Sequence, residues 1–247
     1  MRKYKIKNKY KNIYVFYRHR GFLYALKMVY RVIKEIDLFD LTRSLNTREI
    51  TKKQMQNTQY MWYSPVYTNV CKEMISISSQ FYNSAIKYSN NFDHKVFIDL
   101  GGGLGKPSMI ACEEGTFSQI ISADIDKELS EGAFNNFNKF PKYRIIKSIT
   151  CNVERKGDMQ VLFDVISKEY GNSYTLFVFN KNSYGSTVLR KSLELIKKYG
   201  PDNVLYLYQN PVHSAVLSSM GYRLVGTDDK PNNEHKNYKY HLYWWNS

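Results

Sequence analysis

Apolar positions along this chain follow two different rhythms. Between Phe22 and Ile36 they recur at Phe22, Leu26, Val29, Tyr30, Ile33 and Ile36. That spacing predicts an amphipathic helix of about four turns, with Lys27, Arg31 and Lys34 on its other side. From residue 92 the rhythm changes to short apolar runs separated by helical segments. Val96–Leu100, Gln119–Asp124, Tyr143–Ile149, Tyr174–Asn180, Asn203–Tyr208 and Tyr222–Gly226 read as strands. Lys106–Glu114, Lys127–Asn138, Met159–Glu169, Thr187–Lys198 and His213–Met220 read as the helices between them, and Tyr238–Trp245 as a closing antiparallel strand. Near-continuous apolar runs are what a parallel strand covered on both faces requires. Strand and helix in repeated alternation specify an α/β fold, a doubly wound, mostly parallel sheet. Ligands bind such sheets at the carboxyl ends of the strands.

Composition narrows the picture. Of 247 residues, 43% are apolar and 38 are aromatic, far more than a solvated, disordered chain carries. Three cysteines, Cys71, Cys112 and Cys151, are too few and too scattered for a disulfide scaffold or a metal cluster. The five histidines show no metal-ligand spacing either, so no metal is expected. Ile13–Tyr17 is broken at once by Arg18, His19 and Arg20, too short for a signal-peptide core, and no run of ~18 apolar residues exists to span a membrane. These features lead to the expectation of a cytoplasmic protein, with peripheral attachment to a membrane left open.

The net charge of +14 is unevenly spread. Residues 1–60 hold fifteen Lys and Arg against four acids, a net of +11; residues 61–247 hold twenty-one against eighteen. The division expected is therefore a basic, helical extension over 1–60 and a nearly neutral α/β domain over 61–247. Three roles stay open for residues 18–34: packing on the main domain, docking on an anionic membrane surface, or contact with a nucleic acid or other polyanion.

Chemistry concentrates after the first strand, at Asp99-Leu100-Gly101-Gly102-Gly103-Leu104-Gly105. A Walker loop fails twice, because Leu100 and Pro107 stand where Gly and Ser or Thr are needed. A G-x-G-x-x-G fingerprint does not close with glycine in either register. What fits is D-x-G-x-G-x-G, an acid two residues ahead of Gly101, Gly103 and Gly105. An acid there repels a pyrophosphate and suits a ligand carrying an ammonium and a sulfonium. The second strand ends in Asp124, nineteen residues after Gly105, placed to accept the two hydroxyls of a ribose. Nicotinamide enzymes use the same device, and an N-cap is the alternative for Asp124.

The loop resembles motif I of the class I, Rossmann-like S-adenosylmethionine (SAM) methyltransferases. Phe39-Asp40, Tyr63-Ser64-Pro65-Val66 and Asn210-Pro211-Val212-His213 are similar to further elements of a bacterial group of these enzymes. The resemblance spans roughly residues 37–226. It implies a methyltransferase with SAM as cofactor, acting on an N or O nucleophile of an unidentified methyl acceptor. Asp99, Gly101, Gly103, Gly105 and Asp124 would hold the cofactor, Asn152 would meet the adenine amino group, and Tyr63 and Tyr67 would close over it. The group carries Asn-Pro-Phe after the fourth strand, and amino-methylating relatives carry Asn-Pro-Pro-Tyr. Here Asn180-Lys181-Asn182-Ser183-Tyr184 keeps the Asn and loses the prolines. Asn180 would hold a substrate nitrogen, Tyr184 would supply the aromatic, and His213 is a candidate base. A catalytically silent methyltransferase fold used as a binding module is the alternative.

Overall fold

The apolar runs all become strands of one sheet. The computed structural model describes residues 21–32, 38–45, 47, 66–87, 94–181, 184–228 and 239–246. Within it β1 is His94–Leu100, β2 Gln119–Asp124, β3 Ile146–Thr150, β4 Tyr174–Asn180 and β5 Asn203–Gln209. These five are parallel; β6 (Arg223–Thr227) and β7 (Tyr240–Asn246) complete a seven-stranded sheet in the order β3-β2-β1-β4-β5-β7-β6. β7 runs antiparallel to both of its neighbours, as the loose alternation at the end of the sequence suggests. Strand order reverses between β1 and β4, so the switch point of the sheet lies where those two strands end.

The chain divides into two compact units, Met1–Leu45 and Asn46–Ser247. In the first, α1 is Phe22–Val32 and α2 is Leu38–Thr42. The Arg43 guanidinium lies 4.2 Å from the centre of the Phe39 ring, and Thr42 Oγ1 donates to Leu38 O at 2.7 Å. Residues 33–37, where the predicted helix continues, and the expected boundary at 60/61 lie outside the described residues.

In the second unit the sheet carries helices α3 (Thr68–Phe81), α4 (Lys106–Glu114), α5 (Lys127–Asn138), α6 (Lys156–Tyr170), α7 (Ser186–Tyr199) and α8 (Ser214–Ser219). Alternate strand residues serve opposite faces. Val96, Ile98, Ile121, Leu176, Val178 and Val204 meet Leu162 and Ile166 of α6 and Leu193 and Ile196 of α7. On the other face Phe97, Phe117 and Phe177 interlock, with ring centroids 5.1 Å apart in each adjoining pair. Truncating a ring such as Phe177 to alanine costs ~3–5 kcal/mol in a core of this kind.

Two departures from the sequence reading matter. β3 begins at Ile146, three residues late, because Pro141–Tyr143 forms a 3-10 turn and Tyr143 is spent there as a buried ring hydrogen-bonded to Glu113. Helix α3 was not anticipated at all. Its buried stripe, Val70, Cys71, Met74, Ile75 and Ser78, follows helical spacing with a cysteine and a serine at core positions. It runs on into a π-helical turn, Tyr82–Ile86, and packs against α4, β5 and β7.

Candidate functional site

Where β1 ends, the backbone turns through three alternate glycines in the left-handed region: Gly101 (φ 77°), Gly103 (φ 55°) and Gly105 (φ 83°). A side chain is strained at such angles. At Gly105 an added Cβ would also collide with the Phe137 ring of α5, so this glycine lets two helices approach as well as the chain turn. Gly101 and Gly102 N–H both donate to Ala123 O of β2, at 2.9 and 3.0 Å, which folds the loop across the carboxyl edge. Gly102, which the motif leaves variable, has no room for a Cβ beside Ser122 Oγ.

Asp124 ties this loop to the next. Its Oδ2 accepts from Gly103 N–H at 2.8 Å and its Oδ1 from Asp126 N–H at 2.9 Å. Capping of α5 falls instead to Asp126, whose carboxylate accepts from Glu128 and Leu129 N–H. A carboxylate offers about four acceptor positions, so these two bonds leave capacity for hydroxyl donors. Burial pushes the Asp124 carboxyl above its ordinary range, and the backbone N–H groups of Asp126, Gly103 and Ile125 oppose that rise.

Asp99, at the end of β1, is fully buried, and its Oδ2 accepts from Ser108 Oγ at 3.3 Å. Burial drives its carboxyl up to about 8; Ser108 pulls it down and nearby Asp124 pushes it up. A desolvated carboxyl of this kind gains most from a cation placed beside it.

The other half of the edge lies at β4 and β5. Asn180 is 1% exposed, and its Nδ2 donates to Leu100 O at 3.1 Å, bridging the two strands at the switch point. That bond fixes the amide, and Oδ1 is buried without a hydrogen-bond partner among the described residues. Losing a buried acceptor's partner costs ~1–3 kcal/mol, so the group favours a ligand that donates to it. Tyr184 packs against the core, and its hydroxyl, raised by burial, feels Tyr206, Asp124, Cys151 and Asp99. The fold therefore brings Tyr184 to the same edge as the two carboxylates.

Asn152 follows β3. Its Oδ1 accepts from Glu154 N–H at 2.9 Å, and its own N–H donates to Asp158 at 2.9 Å. Its side-chain oxygen is thus already engaged in shaping the turn. His213 stands at the start of α8, where its N–H donates to Tyr208 Oη at 3.4 Å and its side chain is half-buried. The preceding Asn210 adopts φ 53° and is held by a 2.8 Å bond from its N–H to Lys239 O. Tyr63 lies outside the described residues, while Tyr67 is buried. Among the described residues no group of His, Cys, Asp and Glu is arranged to hold a metal.

Two lysines escaped the sequence reading. Lys106, the residue after Gly105, is buried, and Lys181, the residue after Asn180, sits with its Nζ 6.0 Å from the Tyr67 ring. Burial, then the neighbouring charge of Lys106, lowers the Lys181 ammonium to about 7. Lysines are seldom buried, so composition alone points away from finding them here. Their positions directly after two loop-forming residues were the available signal.

No family model matches the chain, and no curated protein does. Among solved structures it is similar to the methyltransferase domain of bacterial CtHen1, at a TM-score of 0.48 and 13% identity, over 72% of this chain and 98% of that one. It is also similar to M. capricolum TrmK in complex with S-adenosyl-homocysteine (TM-score 0.42, 20% identity, 66% of each chain). A Leishmania major SAM-dependent methyltransferase gives a TM-score of 0.46 at 11% identity, over 72% of each chain.

Proposed function

We propose that this protein is a SAM-dependent methyltransferase whose acceptor is a nitrogen presented to Asn180. The observation that carries the reading is the placement of two carboxylates around a glycine cradle. Asp124 is clamped by Gly103 and Asp126 with acceptor capacity to spare, and Asp99 is buried beside it. The residues fit the cofactor: Gly101, Gly103 and Gly105 clear space for its chain, Asp124 suits ribose hydroxyls, and Asp99 suits an ammonium. When bound, SAM supplies a methyl group already activated on a sulfonium.

What remains for the protein is mainly positioning. Aligning a nucleophile with the reacting carbon can supply ~7–11 kcal/mol of barrier reduction. Asn180 Oδ1, oriented by the bond from Nδ2 to Leu100 O, accepts an N–H from the acceptor and points its lone pair. A neutral amine needs little help from a base. Where the acceptor arrives protonated, Lys181 Nζ, lowered to about 7, can take the proton at neutral pH. Tyr184 would wall the site between cofactor and acceptor. A cytoplasmic place of action belongs to the same proposal and agrees with three free cysteines.

Equilibrium dialysis against labelled SAM tests the reading. Saturable retention of SAM and of S-adenosyl-homocysteine, with no displacement by excess NAD, is the expected result. Retention of NAD in place of SAM, or of neither, would overturn it and leave the fold as a binding module.

A further inference from the structure

We propose that the first unit is an interfacial anchor, with α1 laying its apolar face into an anionic lipid surface. Leu23 is 76% exposed and Tyr30 64%, and Phe22 and Leu26 are exposed as well. At ~100° per residue these four fall within about 100° of the helix circumference, a single apolar stripe. Lys27, also exposed, borders that stripe, and Arg31 and Lys34 follow it in sequence. Helix α2 repeats the arrangement in miniature, burying Phe39 and Asp40 while Leu41 stands 71% exposed beside exposed Leu38.

A solvated helix turns its polar side outward; here large aliphatic and aromatic side chains go out together. Charge identifies the occupant. Residues 1–36 hold eleven Lys and Arg and a single acid, Glu35, whereas residues 61–247 are nearly balanced. A polyanion such as RNA would neutralise the cations and leave Leu23, Leu26 and Leu41 in water. An anionic bilayer satisfies both halves: headgroups meet the lysines and arginines, the acyl boundary receives the leucines, and Phe and Tyr suit the interfacial layer. No helix among the described residues is long and apolar enough to cross a membrane, so α1 would lie in the plane of the interface.

Co-sedimentation of the full chain with vesicles tests this. The expected result is binding to vesicles of phosphatidylglycerol and phosphatidylcholine, at least about tenfold stronger than to phosphatidylcholine alone and weakening as salt rises. The double variant Leu23→Glu, Leu26→Glu should lose about tenfold or more of that binding, and Lys27→Glu a few-fold. Melting temperatures should stay within a degree or so of the parent, because the substituted side chains are already outside. Absence of binding to anionic vesicles overturns the proposal. So does unchanged binding by the double variant, or a marked fall in its melting temperature, which would mean the stripe packs within the chain. Strong RNA binding that survives the double variant, without vesicle binding, would assign the surface to a polyanion instead.

Discussion

The two halves of the sheet's carboxyl edge differ in how their polar groups are spent. Around β1 and β2 the chain satisfies itself: Asp124 accepts from Gly103 and Asp126, Asp99 from Ser108, and Asp126 caps α5. Around β4, Asn180 Oδ1 is buried without a hydrogen-bond partner among the described residues, and burial lowers the Lys181 ammonium. Under the proposed function the first half would hold the cofactor, and the second half would meet the acceptor.

The sharpest way to break this contrast is at Asp124. Asp124→Ala removes the anchor of Gly103 as well as the ribose acceptor, and SAM affinity should fall about 100-fold or more, roughly 2.7 kcal/mol. Calorimetric titration measures it, and a loss below threefold would mean the carboxylate does not meet the cofactor. Next comes Asn180→Ala, where the halves should separate cleanly. Methyl transfer should slow by about 30–100-fold while SAM affinity changes less than about twofold, since only acceptor positioning is lost. Equal losses in both quantities would merge the halves.

Asp99→Asn gives a smaller effect with a definite pH signature. The folded-state carboxyl is raised from 3.8 to about 8, so its contribution to stability is complete below pH 4 and lost as pH rises to 8. The asparagine variant should therefore gain melting temperature relative to the parent at pH 8.5 and not at pH 4.5. In the parent, SAM affinity should strengthen as pH rises through 8, when Asp99 ionises. A flat profile in both measurements would sever Asp99 from the cofactor. The smallest expected effect is at Lys181: Lys181→Met should abolish a rate limb that rises through pH 7, with a loss of only a few-fold at pH 9. Persistence of that limb in the variant would move the proton to another group.

Much of the fold was legible because parallel strands buried on both faces leave unbroken apolar runs such as Tyr174–Asn180. Even β7 showed as alternation. Helix α3 did not, because Cys71 and Ser78 hold core positions that hydrophobicity alone does not mark. Tyr143 opens the expected third strand, whereas Pro141 commits it to a turn. On the site, Asp99, Asp124 and the glycines were named from spacing, since a strand-loop-helix turn at that point admits few residue types. The use of Asn152 Oδ1 within its own turn, the burial of Lys106 and the lowering of the Lys181 ammonium are not readable, because all depend on tertiary neighbours.

One experiment puts the division of the edge to its most direct test: SAM titrated calorimetrically into the parent chain, Asp124→Ala and Asn180→Ala side by side. The expected result is saturable binding by the parent and by Asn180→Ala within about twofold of each other, and binding about 100-fold or more weaker for Asp124→Ala. Binding lost in both variants, or retained in both, would contradict it.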